Sequence, residues 1–304
     1  MTTQEIQAQL DSGYCKLPVG TFVVNAPLIR RHNCLFEGSG PRTVVRASGN
    51  FPAMKDDPTT ANIYGSYIRD MTLEGGVVLD KLAQHTAIEN VWFTNPNGDG
   101  LIIRGTGERS PFFGCVFWGS KGNGVTITVP ADSTYNGILF DFCNMQNNKG
   151  YGVVLQTEGR YAELLDTVFR DCTIQGNGVT LQGDLNCDNK VDVTDISLAQ
   201  SAPEILPVLS KVLAEFGTAA PQADILIRGA VYRTRFDGCW VEAVKTGRGI
   251  YQEGINFSNG WARPTTTTPN TTFSECKLQW ATSVNCDPVE LSTGARLTAS
   301  AKRA

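Results

Sequence analysis

The sequence predicts an all-β protein built as a parallel β-helix, a solenoid of stacked coils. Three observations carry this. A short apolar motif anchored on cysteine recurs along the chain, a Gly-x-Gly turn leads into a second strand after each motif, and the motif spacing suits one coil per repeat. A helical N-terminal segment and one non-repetitive stretch complete the plan.

The anchored motif reads apolar-x-turn-Cys-x-apolar-x. It appears as "HNCLFEG", "FFGCVFWG", "FDFCNMQ", "FRDCTIQG", "FDGCWVE" and "FSECKLQ", with Cys34, Cys115, Cys143, Cys172, Cys239 and Cys276 in line. Met71 in "IRDMTLEGG" and Val91 in "IENVWFT" take the same place. Outside the non-repetitive stretch, successive anchors lie between 20 residues (Met71 to Val91) and 37 residues (Cys34 to Met71) apart. Periods of this size mark stacked repeats. Free cysteine packs as a small apolar side chain, so the anchors are expected to form an inward ladder of thiols. Before the anchor stand Asn33, Asp70, Asn90, Gly114, Asp171 and Gly238. Asn, Asp and Gly tolerate a left-handed backbone. Phe142 and Glu275 are the exceptions.

The second motif is Gly98-Asp99-Gly100-Leu101, Gly122-Asn123-Gly124-Val125, Gly150-Tyr151-Gly152-Val153, Gly176-Asn177-Gly178-Val179 and Gly247-Arg248-Gly249-Ile250. A strand follows each pair of glycines, so the motif is turn punctuation and not a dinucleotide fingerprint.

Composition narrows the function classes. The net charge of −4 over 304 residues argues against a nucleic-acid footprint. No apolar run approaches the roughly 20 residues of a membrane span. "MTTQEIQAQLDSG" is polar and helix-prone, without the basic start and apolar stretch of a secretory leader, so export is expected by another route. The nine cysteines include no C-x-x-C, which speaks against a zinc site.

The opening of the chain, helix followed by "YCKLPVGTFVV" and "LFEGSGPRTVVRAS", resembles pectate-lyase-like right-handed β-helix proteins. There an amphipathic helix covers the first coil and its unpaired edge. Phage tailspikes and tail fibres, polygalacturonases, pectate lyases and alginate epimerases share this architecture. The Asn-Thr-Asp, Asp-Asp and Gly-His-Gly motifs of polygalacturonases are missing, as is the Asp-Pro-His-Glu-like motif of the epimerases. Only His32 and His85 occur, and Asp99 stands alone in a turn. Tailspikes share no catalytic motif. The resemblance therefore implies a phage tail receptor-binding or tailspike-like protein of the virion tail that recognises host surface polysaccharide, with or without cleaving it. It also implies a homotrimer that meets other phage tail proteins. The alternatives are a secreted microbial polysaccharide lyase or hydrolase, and a non-catalytic adhesin or structural virion protein.

The non-repetitive stretch begins "GDLNCDNKVDVTDISLAQ", which resembles one half of a type I dockerin. Its twelve-residue loop offers Asp184, Asn186, Asp188, the Lys190 carbonyl, Asp192 and Asp195, an oxygen set suited to Ca²⁺. "APEILPVLSKVLAEFG" then reads as a helix. The expected organisation is cap and coils over 1–182, a calcium-binding insert over 183–220, further coils over 221–282 and a tail over 283–304.

Alternation along the anchored strand leaves two outward columns. Trp118, Gln146, Gln175 and Trp240 are the expected glycan contacts, since rings stack on sugar faces and amides bond hydroxyls. Asp237 and Glu242 are the expected catalytic pair if the protein cleaves, because glycoside hydrolysis needs two carboxylates.

Overall fold

The structure is a computed structural model. It describes residues 1–81, 86–105, 107–158, 161–178, 224–228, 231–232, 234–243, 250–252, 271–274 and 277–280. The proposed calcium ligands Asp184, Asn186, Asp188, Lys190, Asp192 and Asp195, the anchor Cys276, and the tail over 283–304 lie outside these residues.

The described chain is mostly β, with one helix and two parallel sheets of 18 and 8 strands. The chain passes from the larger sheet to the smaller and back, and each strand pairs in parallel with its counterpart one coil later. In the smaller sheet the rungs run Leu28–Arg30, Met54–Asp56, Val77–Leu79, Leu101–Arg104, Val125–Val129, Val153–Thr157, Ile225–Arg228 and Ile250–Gln252. The strands after the Gly-x-Gly turns align as expected: Leu101 pairs with Val125, and Val125 with Val153. The rung after Val153–Thr157 is Ile225–Arg228, with Val153 opposite Ile225. The described residues on either side of 179–223 meet, with Asn177 N–H donating to Asp224 Oδ1 at 3.0 Å.

The helix Thr3–Asp11 starts in a capping box between Thr2 and Glu5 and buries Ile6 and Leu10 against the first coil. Its Gln7 amide satisfies an edge strand from the side. Gln7 Nε2 donates to Ile29 O at 3.0 Å, and Ile29 N–H donates to Gln7 Oε1 at 2.7 Å. An edge that would otherwise present free backbone groups is closed by one side chain.

Inside the central coils two ladders run in register. Phe112, Phe140, Phe169 and Phe236 stack with centroids 4.7–4.8 Å apart. Cys115, Cys143, Cys172 and Cys239 are buried free thiols. Each lies 3.4 Å from a carbonyl one coil back, those of Ile88, Phe112, Phe140 and Phe169 in turn. The left-handed turn before each anchor interrupts the sheet ladder, and the thiol, a weak donor, meets a carbonyl there. Burial raises the pKa of Cys115, and contacts with the Cys143 and Cys239 thiols, then burial, raise that of Cys172, so both remain protonated packing thiols at neutral pH.

Cys34 departs from the expected ladder. Leu35 pairs with Tyr67 and Phe36 with Ile68, which places Cys34 beside Ser66 and not beside Met71. Its Sγ lies 3.3 Å from Ser66 Oγ. Phe36 takes the position that phenylalanine holds in later coils. The partner of Leu73 is Val45, from the separate strand Thr43–Ala47. The first coils contain an extra loop, so matching Cys to Cys shifted the register. The outward columns therefore run through Thr21 and Val44, and through Val23 and Arg46, not through Leu35 and Glu37.

Candidate functional site

The anchored strands of the central coils present an outward face made of three register columns and a turn. Trp118 pairs with Gln146, Gln146 with Gln175, and Gln175 with Glu242. The next column holds Trp92, Val116, Asn144, Thr173 and Trp240. Between the columns lie the buried Phe93, Phe117, Met145, Ile174 and Val241. The expected contacts Trp118, Gln146, Gln175 and Trp240 thus share one face on consecutive rungs. Three rung steps span about 14 Å at roughly 4.8 Å each. Trp92 and Trp118 are each 44% exposed and Trp240 39%, so these indoles are open to the outside of the chain.

The third column lies before the turn and is charged. Glu89, Phe113, Asp141, Arg170 and Asp237 follow one another in register. Arg170 holds Asp141 with both arms of its guanidinium, Nε to Oδ1 at 2.9 Å and a second bond from Nη2 to Oδ2. Asp141 first, then Asp171 and Asp237, reinforce the positive charge of Arg170. Asp237 is therefore a member of this charged row. It sits across the Gly238 turn from Glu242, in a different column of the same coil. The side chain of Glu242 lies outside what is described, so the pair stands on strand positions only.

The turn residues behave as their types require. Asn33, Asp70, Asn90 and Asp171 have φ between 51° and 56°, and Gly114 and Gly238 have 62° and 65°. Asp70 and Asp171 thus have structural work. Phe142 adopts the same conformation at φ 51°. Asp99 is also structural, accepting from Asn123 N–H at 2.7 Å and Thr126 Oγ1 at 2.6 Å.

Trp92, Phe113 and Phe142 are exposed on this face but were not among the residues singled out for contact. The signal for Phe142 was present in the sequence, as the one aromatic at a turn position otherwise held by Asn, Asp, Gly or Glu. Among the described residues no group of three or more His, Cys, Asp or Glu is placed to hold a metal ion. No described helix is long and apolar enough to cross a membrane.

No family model and no curated protein matches the sequence. Solved structures do resemble it. The ORF18 structure of Geobacillus virus E2 matches over 91% of this chain and 52% of that one, at 14% identity and a TM-score of 0.59. Tailspike protein gp49 from Acinetobacter baumannii bacteriophage Fri1, a capsular polysaccharide depolymerase, matches over 91% of this chain and 51% of that one, at 13% identity and a TM-score of 0.51. Pectate lyase Pel9A aligns over 96% of this chain and 84% of that one, at 13% identity and a TM-score of 0.39. The chain spans about half the length of the two viral structures. At these identities the likeness is one of fold: a mostly β, parallel-sheet architecture shared with a phage tailspike.

Proposed function

We propose that this chain is a right-handed β-helix of a phage tail, tailspike-like, that binds host surface polysaccharide along the outward face of its central coils. The observation that carries the reading is the strip of exposed indoles and amides in register, Trp118, Gln146, Gln175 and Trp240. A flat, regular face with rings and amides at fixed intervals suits an extended chain of sugars. The fold shared with a capsule-degrading tailspike supports the same reading.

The test is a panel of bacterial capsule and lipopolysaccharide glycans. Binding is read by calorimetry, hydrolysis by new reducing ends, and elimination by the absorbance of unsaturated product. Trp240→Ala should weaken binding by about 1–3 kcal/mol, as loss of a stacking anchor does. Unchanged binding in this variant and in Gln175→Ala would remove the strip from consideration. If the protein cleaves, Asp237→Asn and Glu242→Gln should lower the rate by orders of magnitude and leave binding largely intact.

The loop of Asp184, Asn186, Asp188, Lys190, Asp192 and Asp195 is proposed to bind Ca²⁺, supported by the spacing of its oxygen ligands. Assembly as a homotrimer with other tail proteins, on the virion, belongs to the same proposal. Calcium titration and light scattering on the full chain decide these two points.

A further inference from the structure

The turn before each anchor is a left-handed position, and the described coils fill it with Asn33, Asp70, Asn90, Gly114, Asp171 and Gly238. These types bear a positive φ at little cost. A bulky aromatic does not, because its Cβ crowds the following carbonyl. Phe142 nevertheless sits there at φ 51°. Burial does not compensate for the strain, since Phe142 is 58% exposed, more than any other large hydrophobic side chain described. An unfavourable backbone that holds an apolar ring in the open points from the outlier to a use.

Phe142 has a neighbour. Phe113, 45% exposed, stands one coil back, with the ring centroids 5.8 Å apart and the planes at 72°. The two rings form a step at the edge of the face that carries Trp92 and Trp118. Charge around the step is mixed: Asp141 is buried and tied to Arg170, Glu89 and Asp171 stand nearby, and the exposed Lys121 and Lys149 follow Trp118 and Gln146. Charge therefore selects no sugar class here, and the open ring faces suit the C–H face of a sugar.

We propose that Phe142 and Phe113 form a sugar-stacking subsite at the edge of this face. The inference rests on the glycan-binding reading above and narrows it to these two rings.

Phe142→Asn tests it, because asparagine suits the left-handed turn. The variant should melt at a higher temperature than the parent and yet bind at least ten-fold more weakly. The probes are three sets of bacterial surface glycans: neutral, amino-bearing and uronate-bearing. The parent is expected to bind within one of these sets, and Phe142→Asn to lose most of that binding. A lower melting temperature in Phe142→Asn would make the ring structural and overturn the proposal. So would unchanged glycan binding, or a change in assembly mass by light scattering without a change in binding. If Trp240→Ala loses binding while Phe142→Asn keeps it, this inference fails and the broader reading stands. If the parent binds none of the glycans, both fail.

Discussion

The first coils and the central coils use one architecture with different interiors. The central coils, from Phe112 to Val241, are filled by repeated apolar ladders, ring on ring and thiol on thiol. The first coils enclose a buried ion pair. Arg30 is fully buried and donates from Nε to Asp56 Oδ1 at 2.6 Å, while Asp56 Oδ2 accepts Lys81 N–H at 2.7 Å. Around it stand the buried hydroxyls of Ser66, Thr86 and Ser110 in one inward column. Both outer surfaces carry ion pairs, Lys16 and Arg69 on Glu37 in the first coils and Arg170 on Asp141 in the central ones, and the central coils add the open indoles Trp118 and Trp240. A regular interior lets successive coils repeat one register and build a long, even outer face. An interior with a specific charged contact fixes how the first strands sit on one another.

Three experiments break or sharpen this contrast. The largest effect belongs to the buried pair. Asp56→Ala leaves Arg30 charged and unpaired, and should cost about 3–5 kcal/mol in denaturant unfolding. Replacing Arg30 and Asp56 together by apolar residues of similar volume should recover most of that loss. If the single variant costs under ~1 kcal/mol, the pair does not organise the first coils.

A smaller effect separates the two cysteine environments. Cys143 lies in the apolar ladder and Cys34 in the hydroxyl column. Cys143→Ser should cost about 1–2 kcal/mol, because the smaller, more polar hydroxyl fills the space between neighbouring thiols less well even with the Phe112 carbonyl in reach. Cys34→Ser should cost less than ~1 kcal/mol, since Ser66 Oγ already partners that site. Equal losses would erase the distinction.

The smallest effect is at the surface. Hydrogen bonds from Lys16 and then Arg69 hold the Glu37 carboxyl below its ordinary pKa. Its stabilising contribution is present above the unfolded-state pKa of about 4.3 and is lost as the pH falls through the lowered folded value. The difference in Tm between parent and Glu37→Gln should be modest at neutral pH and should close in acid. A difference that stays constant would show that charge is not its source.

What the sequence made legible follows the same division. The central coils repeat one motif with little change in length, so Cys115, Cys143, Cys172 and Cys239 fell into line, and the outward strip with them. The first coils differ by the loop before Thr43, and no local pattern marks where the register resumes. Cys34 was therefore matched to Met71 when its neighbour is Ser66. Asp237 and Glu242 were legible as residues of one coil. The charged row that Asp237 joins was not, because Arg170 and Asp141 meet across coils far apart in sequence. Phe142 was visible as a broken rule, but its exposure and its contact with Phe113 depend on the coils stacking.

The join between Gly178 and Asp224 has a further consequence. Gly178 N–H bonds to the carbonyls of Asn148 and Gly150 in the preceding coil, and Asp224 receives Asn177 directly. Gly178 and Asp224 are thus both tied to residues of the described coils. Such a join is expected to behave as a port: exchanging residues 179–223 for a foreign domain should leave the pairing of Val153–Thr157 with Ile225–Arg228 intact. New specificity grafted there would not require rebuilding the coils.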